Sequence, residues 1–165
     1  MVVCNEILEF GGYYFDRTGK YKFSDISFKT PMKWDELFQY CMRECDNNPD
    51  LYAVISDMYL NGKSVSLNKE KSVTYLKSGI DKGSDHCLFL MGLRYHNGDG
   101  VIRSYAKAMD CFKKASKYKH PQATYMMGYY FSEGIGVSEA PKKAMKFYQM
   151  AAALGDLEAK EKIYY

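Results

Sequence analysis

Residues 121–156 read PQATYMMGYYFSEGIGVSEAPKKAMKFYQMAAALGD, and the 36 residues before them, 85–120, read DHCLFLMGLRYHNGDGVIRSYAKAMDCFKKASKYKH. Laid one over the other without a gap, Gly92 falls on Gly128, Gly98 on Gly134, Gly100 on Gly136, Val101 on Val137 and Lys107 on Lys143. Ala108 falls on Ala144, Phe112 on Tyr148 and Ala115 on Ala151. The same step carries upstream to Gly62, Val65, Lys71 and Tyr59, the last matching Tyr95 and Phe131. Fixed self-similarity at this period is the mark of stacked supersecondary units, each too small to bury its own apolar face.

Each unit reads as two helices. Cys87, Met91 and Tyr95 recur at i, i+4, i+8, on one helical face. Asn97-Gly98 ends the first helix, because glycine accepts the left-handed conformation of a C-terminal cap. Val101 anchors the turn, and Ser104 caps the second helix as Asn68 does one unit earlier. Pro141 takes the first helical position in the last unit. Small residues at Ala115 and Ser116 let the next helix approach closely.

The stretches 123–131, 134–137, 143–144 and 151–152 resemble the Sel1-like repeat family, a relative of the tetratricopeptide repeats. The resemblance covers about residues 49–156, as units 49–84, 85–120 and 121–156. It weakens in the first unit, where Ser56, Ser64 and Ser72 replace two glycines and an alanine. The fold it implies is all-α: a right-handed α-solenoid of stacked antiparallel helix pairs. Residues 157–165 read as a C-terminal capping helix and 1–48 as a divergent N-terminal capping repeat. Within that cap, Trp34, Leu37, Phe38, Cys41 and Cys45 have helical spacing. Upstream, two readings stand. GYYF at 12–15 echoes 128–131 and favours a helix, whereas YYFD and KYKF around Arg17-Thr18-Gly19 alternate as a β-hairpin would.

Composition narrows the function. The 165 residues are 47% hydrophobic and carry a net charge of +3, enough apolar matter for a core and too little charge to favour a nucleic-acid partner. No apolar run reaches the ~18 residues of a membrane span, and MVVCNEILEF does not read as a secretory leader. Five cysteines without such a leader favour free thiols and a cytoplasmic setting. Some secreted relatives carry a disulfide in each repeat. Here the partner of Cys87 would fall near Ile80, and the next unit has Ser116 and Ala123.

Chemistry has few footholds. Cys41 and Cys45 could fill two corners of a metal site, but a closed zinc site needs about four ligands and no second pair is present. His86, His96 and His120 are scattered and lack a recognisable nucleophile, so they read as capping or solvent-facing groups. Gly62-Lys63-Ser64 lacks the upstream glycine and strand of a phosphate loop, and Gly98-Asp99-Gly100 lacks calcium-loop spacing. Lys113, Lys114, Lys117, Lys119, Lys142, Lys143 and Lys146 read as a solvated face.

The expectation is therefore a non-catalytic protein–protein interaction scaffold without a cofactor, binding a protein or peptide partner. An immunity or inhibitor protein capping a toxin or effector is the alternative. The family geometry implies core slots at Cys87, Met91, Gly92 and Tyr95 and at Ala123, Met127, Gly128 and Phe131, and a groove lined by the first helices: Asp57 and Asn61, then Phe89, Leu93, His96 and Asn97, then Tyr125, Tyr129 and Glu133. For Phe89 and Tyr125, packing between repeats competes with exposure in that groove.

Overall fold

A computed structural model describes residues 34–164; the helix and hairpin readings of 12–31 lie outside those residues. Eight helices follow one another: α1 (Trp34–Glu44), α2 (Leu51–Asn61), α3 (Lys69–Asp81), α4 (Asp85–Asn97), α5 (Tyr105–Lys117), α6 (Pro121–Glu133), α7 (Pro141–Ala153) and α8 (Leu157–Tyr164). No strand occurs among the described residues. Each helix packs on the next in chain order, and α2 also touches α4, the first helix of the following repeat. The result is a right-handed α-solenoid of antiparallel helix pairs.

The caps explain why the pairs end at matching positions. Gly62, Gly98 and Gly134 close α2, α4 and α6 at φ 65, 82 and 64°, where a Cβ is penalised. The side chains of Asn68 and Ser104 accept from the backbone N–H groups of Lys71 and Lys107. A second cap column carries no residue identity at all. Ser84 Oγ, His120 Nδ1 and Asp156 Oδ1, 36 residues apart in turn, accept from the N–H of Cys87, Ala123 and Ala159 at 3.0, 3.2 and 2.8 Å. All three atom types can accept a hydrogen bond, which is all the position requires.

The core repeats by volume rather than by residue. A Cβ on Gly92 would lie 2.5 Å from the Phe112 ring, and one on Gly128 would lie 2.7 Å from that of Tyr148. In the first repeat the ring is replaced by Leu76, and the glycine by Ser56. The Ser56 hydroxyl is fully buried and is satisfied by Ser72 Oγ at 2.8 Å. The Ser56 and Ser72 departures are thus not decay: a smaller partner admits a hydroxyl, and a second serine satisfies it. A matching exchange joins the repeats. Ala115 and Ala151 take the place of Gly79, and Ala123 and Ala159 the place of Cys87. The larger cysteine is offset by the smaller glycine, whose added Cβ would meet Cys87 Sγ at 2.4 Å.

Two positions break the backbone rule: Ser64 sits at φ 64° where the later repeats have Gly100 and Gly136, and Lys119 is the other. Gly83 and Gly155 adopt φ 93 and 97°, and their equivalent, Lys119, is held at φ 64°. Lys119 is solvent-exposed, and the two matching glycines have open space around them. Relief of left-handed strain outweighs glycine's extra freedom in the unfolded chain. Lys119→Gly should therefore raise stability by about 1 kcal/mol, read as a higher urea midpoint at unchanged slope.

Candidate functional site

The first helices of the repeats each present a stripe at i, i+4, i+8: Ala53, Asp57 and Asn61 on α2; Phe89, Leu93 and Asn97 on α4; Tyr125, Tyr129 and Glu133 on α6. Four residues turn an α-helix through one full revolution plus about 40°. Such a stripe drifts from the packed side toward solvent. Burial follows that drift. Phe89 is buried, Leu93 half-buried and Asn97 exposed; Tyr125 and Tyr129 are half-buried and Glu133 exposed.

The expected groove is corrected at two positions. Phe89 is 7% exposed, with its ring stacked on His120 at 4.7 Å and 6.0 Å from that of Phe112. It packs between repeats and lines nothing open. Asp57 is also buried, drawn inward by Arg94, whose Nη2 stands 2.8 Å from Asp57 Oδ1. The remaining positions stay accessible. Asn61 is exposed and donates to the Asp57 carbonyl at 2.9 Å. His96 is half-buried, with Nδ1 2.8 Å from the Tyr130 hydroxyl.

The open part of the face is therefore uneven. In the first repeat it is polar and narrow. In the second and third it carries Leu93, Tyr125 and Tyr129, rimmed by His96, Asn97 and Glu133. The Tyr125 ring rests 5.4 Å from Tyr148, and burial pushes its phenol up to about 12, helped by the nearby Glu158 carboxylate. The hydroxyl is protonated at neutral pH and can donate to a partner.

The repeating lysines acquire a role near the C-terminal end of these helices. Lys71, Lys107 and Lys143 place Nζ over the rings of Tyr59, Tyr95 and Phe131 at 5.4, 5.5 and 4.0 Å. Tyr75 stacks under Tyr59 at 5.3 Å and Phe147 under Phe131 at 5.6 Å. The Tyr95 and Phe131 positions expected in the core are half-buried edge positions, each ring lidded by a cation. Sequence reading registered the columns and missed the contact.

The joints between repeats were also missed. Ser84 Oγ donates to Asp50 Oδ1 at 2.6 Å, and at the next joint His86 Nδ1 lies 3.3 Å from His120 Nε2, each pair 34 residues apart. The two imidazoles stack at 5.6 Å and both are buried. Burial holds both below the ordinary histidine value, His86 lowers His120 further, and Asp50 partly offsets the effect at His86.

Cys41 and Cys45 share one buried face of α1, where burial raises the Cys41 thiol to about 12 with a further push from Cys45. A metal ligand needs the opposite shift. Among the described residues no group of three or more histidine, cysteine or acidic side chains is placed to hold a metal ion. Cys41, Cys45, Cys87 and Cys111 are free thiols, and no described helix is long and apolar enough to cross a membrane.

The helix pairs coincide with three matches to the Sel1 repeat family, at residues 51–84, 85–117 and 121–156. No curated protein matches the chain by sequence. A Sel1 repeat protein from Oxalobacter formigenes superposes with a TM-score of 0.73 at 30% identity, over 79% of this chain and 54% of that one. A protective antigen of uropathogenic Escherichia coli with an SLR fold gives 0.72 at 24% identity, over 81% of this chain and 29% of its own, a likeness of fold alone. The Helicobacter pylori cysteine rich protein B gives 0.63 at 26% identity, over 78% and 92%. The chain thus spans about half of the first of these proteins and under a third of the second. With three family matches over most of its length, each falling on one helix pair, the chain belongs to the Sel1 repeat family.

Proposed function

We propose that the chain is a non-catalytic scaffold that binds a protein partner along its first-helix face, centred on Leu93 and Tyr129. One observation carries the reading: these two side chains occupy the same repeat position and remain half-exposed while their neighbours are buried. Proteins of this fold generally act as protein–protein scaffolds. Half-exposed aromatic and aliphatic groups on a rigid surface are efficient anchors, since little side-chain freedom is lost on binding. The polar rim of Asn61, His96, Asn97 and Glu133 would fix register. In this reading segments 1–48 and 157–165 cap the ends of the stack.

The test is an affinity capture with wild-type protein beside a Leu93→Ala/Tyr129→Ala variant. Proteins retained by the wild type should be lost at least tenfold from the variant, while stability falls by less than about 2 kcal/mol. A stability loss of about 4 kcal/mol or more would place both groups in the packed interior and remove the reading.

A further inference from the structure

The second helices differ in one respect that packing does not explain. At three equivalent outward positions α3 carries Glu70, Thr74 and Ser78, and α5 carries Ala106, Asp110 and Lys114. On α5 the charges are internally matched, Lys114 Nζ lying 2.7 Å from Asp110 Oδ2. On α7 the same positions hold Lys142, Lys146 and Met150, and the helix contains no acidic residue. Lys142 and Lys146 stand one turn apart, close enough to repel. Among the described residues neither makes an ion pair. Beside them is an open depression lined by Lys142, Lys143, Lys146, Phe147 and Met150. Its floor is rigid, because Phe147 is stacked on Phe131 and Lys143 is fixed over that ring. Met150, 52% exposed, supplies an adaptable apolar contact.

We propose that this face of α7 docks an acidic peptide segment of a protein partner, with carboxylates between Lys142 and Lys146 and an apolar side chain against Phe147 and Met150. A carboxylate placed there relieves the lysine–lysine repulsion that α7 otherwise carries. The apolar floor favours a peptide over a phosphate backbone, which would leave Phe147 and Met150 without a partner. The site lies on a second helix and does not depend on the Leu93 and Tyr129 face.

The probe is a fluorescein-labelled helical peptide with two glutamates one turn apart and a leucine one turn further on, titrated by anisotropy at low and physiological salt. Saturable binding that weakens as salt rises is expected. Lys142→Gln/Lys146→Gln and Met150→Asp should each weaken it about tenfold or more. Lys113→Gln/Lys117→Gln on α5 and Leu93→Ala/Tyr129→Ala should leave it unchanged. The lysines and Met150 are exposed, so circular dichroism should confirm intact helices. Absence of saturable binding, equal losses from the α5 pair, or equal affinity for a leucine-free peptide would overturn the proposal. So would tighter binding of a duplex oligonucleotide.

Discussion

Arg94→Met should destabilise the protein by about 3–5 kcal/mol, although it replaces one long side chain by another. The guanidinium is the cation that faces the Asp57 carboxylate at 2.8 Å, and both side chains are at most 10% exposed. Removing it takes a countercharge away from a buried carboxylate, and the residual cost is desolvation rather than lost packing. The molecule also contains its own control. One repeat later, Leu93 occupies the Asp57 position and Tyr130 the Arg94 position. An Asp57→Leu/Arg94→Phe variant should recover to within about 1.5 kcal/mol of wild type, because a matched apolar pair has no charge to solvate; the tyrosine hydroxyl is left out because its partner His96 is Leu60 in this repeat. Urea unfolding of the two single and the double variant measures the coupling directly. A loss below 1 kcal/mol for Arg94→Met would mean that the pair behaves as a solvent-screened one, against its burial.

This pair also shows which parts of the molecule a sequence reveals. Gly98, Gly134, Gly92 and Gly128 are legible because each meets a constraint that only glycine satisfies: a left-handed cap, or a ring pressed onto the backbone. Such constraints recur as identities, the caps in all three repeats and the ring contact in the last two, so identity at a 36-residue step finds them. The joints do not recur as identities. Asp50–Ser84 and His86–His120 are the same rung, and Asp57–Arg94 becomes Leu93 and Tyr130. What repeats there is reach and complementarity between two different positions, invisible to a comparison of like with like. The groove was half legible for a geometric reason. Spacing by four places Phe89, Leu93 and Asn97 on one stripe but omits its rotation, which carries Phe89 inward and Asn97 outward. The lysine column was visible without a meaning, since nothing in the sequence says which ring each ammonium will cover.

Acidification should loosen the joint between the second and third repeats at its stacked imidazole pair. His86 and His120 are buried against each other, and burial lowers both from the ordinary value of 6.5. Asp50 faces His86 and pulls in the other direction, but desolvation is the larger effect. The unfolded chain therefore binds more protons than the folded one below pH 6.5, and stability rises with pH across that range. It is fully present above the unfolded value and drains away as pH falls toward the lowered one. From pH 7 to pH 5 each imidazole held neutral costs about 2 kcal/mol, so the pair costs about 4 kcal/mol. The first joint supplies the replacement rung. His86→Asp/His120→Ser transplants the Asp50–Ser84 pair, which carries no imidazole. Urea unfolding at pH 7, 6 and 5 should show a steep decline for the wild type and a slope at least halved in the variant. Parallel slopes would mean that the imidazoles take up protons in the folded state, and the stacked pair would then not be the acid-labile element.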